Sequence, residues 1–158
     1  MLRSALSRSV LILATLCVSG CGLYWNHAGP ELSAYDGTPR PENEVAIIDQ
    51  GAGCWSCVTW INSESKKIYS APSGAANTFD FPNKIMLLPG TYYISLRHRG
   101  RKSTTALAVG EVNLLAGRTY NVEEDTCFPI FCWSHPGYTS FVWMEDADTG
   151  EVVLGKRM

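Results

Sequence analysis

Over Tyr92 to Arg99 the chain alternates: Tyr92, Ile94, Leu96 and His98 interleave with Tyr93, Ser95, Arg97 and Arg99. A period of two sends successive side chains to opposite faces of an extended strand. The second set is the wetter one, so this strand has a core side and a water side. A lone strand leaves its backbone amides and carbonyls unpaired, so it needs neighbours of the same kind. They follow from Glu44 onward as Val45 to Ile48, Cys57 to Ile61, Ile85 to Leu88, Ala106 to Leu115, Tyr120 with Val122, Phe141 to Met144, and Val152 to Leu154. Pro89-Gly90, Gly117 and Asp148-Thr149-Gly150 punctuate these runs as turns. Gly110 is a candidate bulge. No segment beyond the N-terminal leader has a helical period with caps. The prediction is an all-β fold over residues 44–158, a small antiparallel β-sandwich of about seven strands.

The N-terminus is of a different kind. Arg3 and Arg8 precede an apolar stretch from Val10 to Val18, broken only by Thr15. That stretch is too short to span a bilayer, which takes about 20 residues, and it reads as a signal helix. Val18-Ser19-Gly20-Cys21 is similar to the bacterial lipobox, an aliphatic residue and two small ones before a cysteine. The resemblance implies removal of residues 1–20 and lipidation of the Cys21 thiol by diacylglycerol, commonly with a further acyl chain such as palmitate on the new amino group. Two or three acyl chains anchor a protein firmly, whereas one is marginal. Gly22 stands where an inner-membrane retention signal would place Asp, which implies outer-membrane sorting in a Gram-negative host.

Residues 21–43 contain Gly29, Pro30, Gly37, Pro39 and Pro41 and no apolar period, so they are expected to form a flexible lipidated tether. Tyr24, Trp25 and Tyr35 are its aromatic exceptions, suited to the lipid interface or to docking on the domain. The formal net charge is −2, and the leader removes two arginines and no acid. A mature chain of that balance is a poor nucleic-acid binder.

Several pieces recur in an order that resembles a family. They are Tyr35-Asp36-Gly37, Arg40-Pro41, Glu44 to Ile48, Leu88-Pro89-Gly90-Thr91-Tyr92, Ala116-Gly117-Arg118-Thr119-Tyr120, and Trp143 three residues before Asp146. Together, over about Tyr35 to Leu154, they resemble small proteobacterial lipoproteins with a transthyretin-like or PEGA-like β-sandwich. The family brings no catalytic residues to carry over, and its shared pattern does not include the cysteines of this domain.

Cys54, Cys57, Cys127 and Cys132 remain after the leader and Cys21 are set aside. An even number in an exported domain points to two disulfides. Local pairing and crossed pairing are both open; a crossed bridge closes the longer loop and stabilises more, up to about 4 kcal/mol. Two other uses compete. Cys54-Trp55-Ser56-Cys57 has the spacing of a thiol–disulfide redox pair, but that chemistry favours a helix N-terminus and a strand follows here. Two cysteine pairs also match a zinc site, which oxidising export opposes.

Arg97, Arg99, Arg101 and Lys102 form the densest basic run and are candidate contacts for an anionic ligand or lipid headgroup; a solvated hairpin end is the plainer reading. Asp146 to Gly150 reads as a turn, since it lacks the ligand set of a calcium loop. Phe128, Phe131, Trp133 and Tyr138 crowd the second cysteine pair, as core under a loop or as a recognition surface. His27, His98 and His135 are scattered, and no nucleophile elbow or phosphate loop is present. No metal or cofactor is expected. The expected protein is a non-enzymatic cell-envelope lipoprotein, held in the bilayer by its acyl chains. It would serve as a structural module or contact an envelope protein by strand addition. The rival readings are a periplasmic thiol–disulfide redox protein using Cys54 and Cys57, and an envelope ligand- or lipid-binding module.

Overall fold

The structure is a computed structural model that describes residues 30–51, 56–71, 81–98, 107–127 and 139–157. Each apolar run within them forms a strand. In chain order these are β1 (Glu31–Ser33), β2 (Ala46–Asp49), β3 (Ser56–Asn62), β4 (Lys67–Ser70), β5 (Lys84–Leu87), β6 (Gly90–His98), β7 (Leu107–Leu114), β8 (Thr119–Cys127), β9 (Thr139–Asp146) and β10 (Val152–Gly155). They build a two-sheet sandwich. One sheet has six strands in the order β1-β5-β2-β8-β9-β10, and the other has four in the order β4-β3-β6-β7.

The all-β sandwich matches the expectation, while its strand count and pairing differ. Ten strands are present among the described residues, and β1 pairs with β5, and β2 with β8, in parallel. Parallel neighbours need a crossover between them. The chain supplies one each time by visiting the four-stranded sheet before it returns. The strands absent from the sequence reading, β1 and β4, have three and four residues. β1 has one apolar residue in three and β4 follows a polar turn, so neither shows a period.

The segment expected as tether through residue 43 is structured from Pro30 on. β1 aligns Glu31, Leu32 and Ser33 with Lys84, Ile85 and Met86. The Ala34 amide donates to the Met86 carbonyl at 2.8 Å, and a short 3-10 turn covers Glu42–Glu44. Sheet pairing overrides composition here, because the β5 edge offers unpaired backbone groups that only another strand satisfies. Gly110 is not a bulge either. It pairs in regular register with Ile94. A Cβ there would lie 2.9 Å from Leu154 Cδ1, so glycine lets β10 pack closely on β7. The register shifts fall in β3 and β10 instead.

The period of two in β6 holds at Ile94 and Leu96, fully buried, and at Tyr93 and Arg97, exposed, but Ser95, expected on the wet side, is buried and its hydroxyl accepts from Thr59 at 2.9 Å. Ile94 and Leu96 join Ala46, Ile48, Val58, Ile85, Leu87, Tyr120, Val142 and Met144 in one core between the sheets. Burying each large aliphatic side chain contributes about 1.5–3 kcal/mol.

The two ends of the sandwich differ. At one end the connections are tight: residues 63–66, 88–89, 115–118 and 147–151. Here the Tyr92 hydroxyl donates to the Leu88 carbonyl at 2.8 Å, and the Tyr120 hydroxyl accepts from the Leu115 amide at 3.0 Å. The Asp146 carboxylate accepts the amides of Asp148 and Thr149 at 2.9 and 3.0 Å, which makes Asp146 to Gly150 a turn, as expected. At the other end lie the starts of β1, β3, β5, β7 and β9 and the ends of β2, β6 and β8. The connections after β2, β4, β6 and β8 leave from this second end, while the twelve-residue connection from β1 to β2 runs at the first.

Candidate functional site

The second end carries a largely buried polar cluster that joins the two sheets. Core-facing positions on β6 run Tyr92, Ile94, Leu96, and the next is His98; those on β8 run Tyr120, Val122, and the next is Glu124. Ser56, at the start of β3, pairs with His98. Where the apolar series stops, these three polar residues therefore continue inward. Ser56 and His98 are buried, and Glu124 retains a third of its exposure.

His98 Nδ1 lies 2.9 Å from Glu124 Oε2 and 3.1 Å from Ser56 Oγ. The Ser56 hydroxyl also donates to Glu124 Oε2. One carboxylate oxygen thus gathers two donors from the opposite sheet. Charge-assisted bonds of this kind are about twice as strong as neutral ones. A serine–histidine–acid relay needs the hydroxyl and the acid on opposite ring nitrogens, so that the ring passes a proton across itself. Here both address Nδ1. The arrangement clamps the sheets together and is not built to activate Ser56.

A second tie sits beside it. Gln50 is buried just after β2; its Oε1 accepts the Val58 amide at 2.7 Å and its Nε2 donates to the Pro82 carbonyl at 2.5 Å. Val58 lies past the last β4 pair, Trp60 with Ser70, so the Gln50 side chain satisfies an amide that β4 does not reach. Next to Ser56, Cys57 takes the opposite face of β3, fully buried against Phe81. Cys57 is disulfide-bonded. It sits on a strand and not at a helix N-terminus, the setting that would lower a thiol pKa for redox work.

The expected site residues distribute unevenly. Arg97 pairs with Leu107 and is exposed on the outward face of β6. Cys127 ends β8. Cys21, Cys54, Cys132, Arg99, Arg101 and Lys102 lie outside the described residues, as do Phe128, Phe131, Trp133 and Tyr138. Of the cysteines in the domain, Cys57 is the second residue of β3 and Cys127 the last of β8, at the same end of the sandwich. The Ser56, His98 and Glu124 cluster was missed by reading residues in isolation. The alternation already places His98 on the inward side of β6, and continuing the two-residue period of β8 by one step flags Glu124 as inward-facing too.

A further cluster occupies the outward face of the six-stranded sheet. Trp143 Nε1 donates to Glu145 Oε2 at 2.7 Å, Arg157 pairs with the same oxygen at 2.8 Å, and its guanidinium lies 5.6 Å from the Trp143 ring centroid. This cluster fastens the residues after β10 back onto β9.

No group of side chains suited to a metal ion occurs among the described residues, and none of their helices is long and apolar enough to cross a membrane. Comparison with protein-family models, curated proteins and solved structures finds no match to this chain.

Proposed function

We propose that the protein is a cell-envelope lipoprotein, anchored through lipidated Cys21, whose β-sandwich serves as a structural or protein-interaction module. The observation that carries this reading is the Val18-Ser19-Gly20-Cys21 box directly behind a charged and apolar leader. The sandwich that begins nine positions after Cys21, at Pro30, supports it, because a lipid-anchored module needs its own core close behind the anchor. A two-sheet β domain is also what a transthyretin-like or PEGA-like member requires. The clamped geometry of Ser56, His98 and Glu124 and the strand setting of Cys57 favour a scaffold over a reaction centre. Among the described residues, β4 and β7 of the smaller sheet are each paired on one side only, which suits strand addition by an envelope protein. Gly22 favours the outer membrane as the site of residence.

Fractionation of cells expressing the native chain and Cys21→Ser tests the anchor. The native protein should stay with membranes through a high-salt wash, which strips electrostatic contacts and leaves acyl chains inserted. It should also incorporate labelled palmitate. Cys21→Ser should do neither. Salt-resistant membrane retention of Cys21→Ser would overturn the reading.

A further inference from the structure

We propose that β4 is a releasable strand, which opens ahead of the rest of the sandwich and uncovers the edge of β3. The inference stands independently of the lipid anchor. It begins with Tyr69, which β4 turns into the core between the sheets, where only 9% of the residue is exposed. Its hydroxyl is buried and has no hydrogen-bond partner among the described residues. Burial also pushes the phenol pKa up, as a dry setting requires. In water that hydroxyl both donates and accepts, so closing β4 strips bonds that the core does not give back. Tyr92 and Tyr120, which also pack on the core, keep theirs through the Leu88 carbonyl and the Leu115 amide.

β4 is also lightly held. It has four residues, and its register on β3 skips Ile68, because Ile61 pairs with Tyr69 and Asn62 with Lys67. Just past it, the Ala71 amide donates to the Thr59 carbonyl at 2.8 Å. The turn before it closes on itself, with the Ser63 amide donating to the Lys66 carbonyl. The Lys66 to Asp36 ion pair, at 3.7 Å, is fully in water at its acid and contributes little. A short segment with few bonds and an unpaid polar burial opens at lower free energy than the core strands. β3 does not depend on it. β3 pairs with β6 from Ser56 to Asn62, and Gln50 satisfies the Val58 amide from the other sheet. β1 is shorter still, but its inward residue is Leu32, which strands no polar atom. Opening β4 thus leaves a framed edge, with the Thr59 carbonyl and the flank of Ile61 free for strand addition.

Native-state hydrogen exchange of the full chain and of Tyr69→Phe tests the proposal. The Ala71 amide should have a protection factor about tenfold or more below the most protected amides of β6. Tyr69→Phe keeps the ring and removes the stranded hydroxyl, so it should raise Ala71 protection about five- to tenfold. An Ala71 amide as protected as those of β6 overturns the proposal, because β4 then opens only with the whole domain. A fast Ala71 amide that Tyr69→Phe leaves unchanged overturns it too, because fraying that keeps Tyr69 buried does not release the strand.

Discussion

The hydroxyl of Tyr120 accepts a hydrogen bond from the Leu115 amide, five residues earlier, at 3.0 Å. The same device recurs with opposite polarity at Tyr92, whose hydroxyl donates to the Leu88 carbonyl at 2.8 Å. This accounts for the similar pieces Leu88 to Tyr92 and Leu115 to Tyr120. In each, a glycine-containing turn lets the strand start, and a tyrosine on that strand reaches back to fasten the turn. Tyr120 is buried and Tyr92 is only half-buried. Tyr120→Phe is therefore expected to cost about 1 kcal/mol, and Tyr92→Phe about 0.5 kcal/mol, because the Tyr120 bond is partly shielded from water and the Tyr92 bond is exposed to it. Urea denaturation midpoints at constant slope measure both.

Removing the Glu124 carboxylate strands two donors in the core, His98 Nδ1–H and the Ser56 hydroxyl. Glu124→Ala is expected to destabilise by about 2–3 kcal/mol and Ser56→Ala by about 1 kcal/mol. The double variant should cost clearly less than the sum, since the shared oxygen is lost only once. Strict additivity in a double-mutant cycle would mean that the three groups do not act as a clamp.

Gly155 and Gly110 lie on either side of the contact between β10 and β7, and their replacement should differ in cost. Gly155 has φ +81°, and a Cβ there would run into the Val142 carbonyl oxygen and lie 3.0 Å from Trp143 Cα. Backbone cannot yield as a side chain does. Gly155→Ala is expected to cost about 3 kcal/mol from left-handed strain and overpacking. At Gly110 the obstacle is the tip of Leu154, which can rotate, so Gly110→Ala should cost about 1 kcal/mol. Thermal unfolding of the two variants should rank them in that order.

Two carboxylates give opposite pH signatures. Burial pushes the pKa of Asp146 up, but the Thr149 and Asp148 amides and the Arg118 guanidinium outweigh it and hold the carboxyl below its ordinary value. A depressed folded pKa stabilises above the unfolded pKa and loses that contribution as pH falls through the folded value. Glu123 is the reverse. Burial first, and then Glu145 and Glu124, raise its pKa against the lowering by Arg157. Its ionised form therefore costs stability at neutral pH, and the cost fades as pH falls through the raised folded value and is gone below the unfolded value of about 4. Asp146→Asn should lower stability at pH 7 and Glu123→Gln should raise it, with both differences shrinking toward acid. Unfolding curves across pH 3–7 check the two signs.

Much of the architecture is local in origin and therefore readable along the chain. The alternation through Tyr92, Ile94 and Leu96 follows from the geometry of an extended backbone, and the glycine turns follow from steric freedom at positive φ. A two-sheet β domain with its core residues thus emerges without any knowledge of what lies beside what. The lipobox is also a linear signal, because a peptidase reads it as an extended peptide. Pairing is another matter. Glu31 to Ser33 and Lys67 to Ser70 are too short and too polar to show a period, and they become strands only because neighbouring edges offer them unpaired backbone groups. Gly110 has its role because β10 folds over β7. Ser56, His98 and Glu124 are separated by 26 to 68 positions and meet only when the two sheets stack. A strand's own residues decide which side of it faces inward. Which polar groups then find each other depends on the stacking of sheets that no local segment encodes.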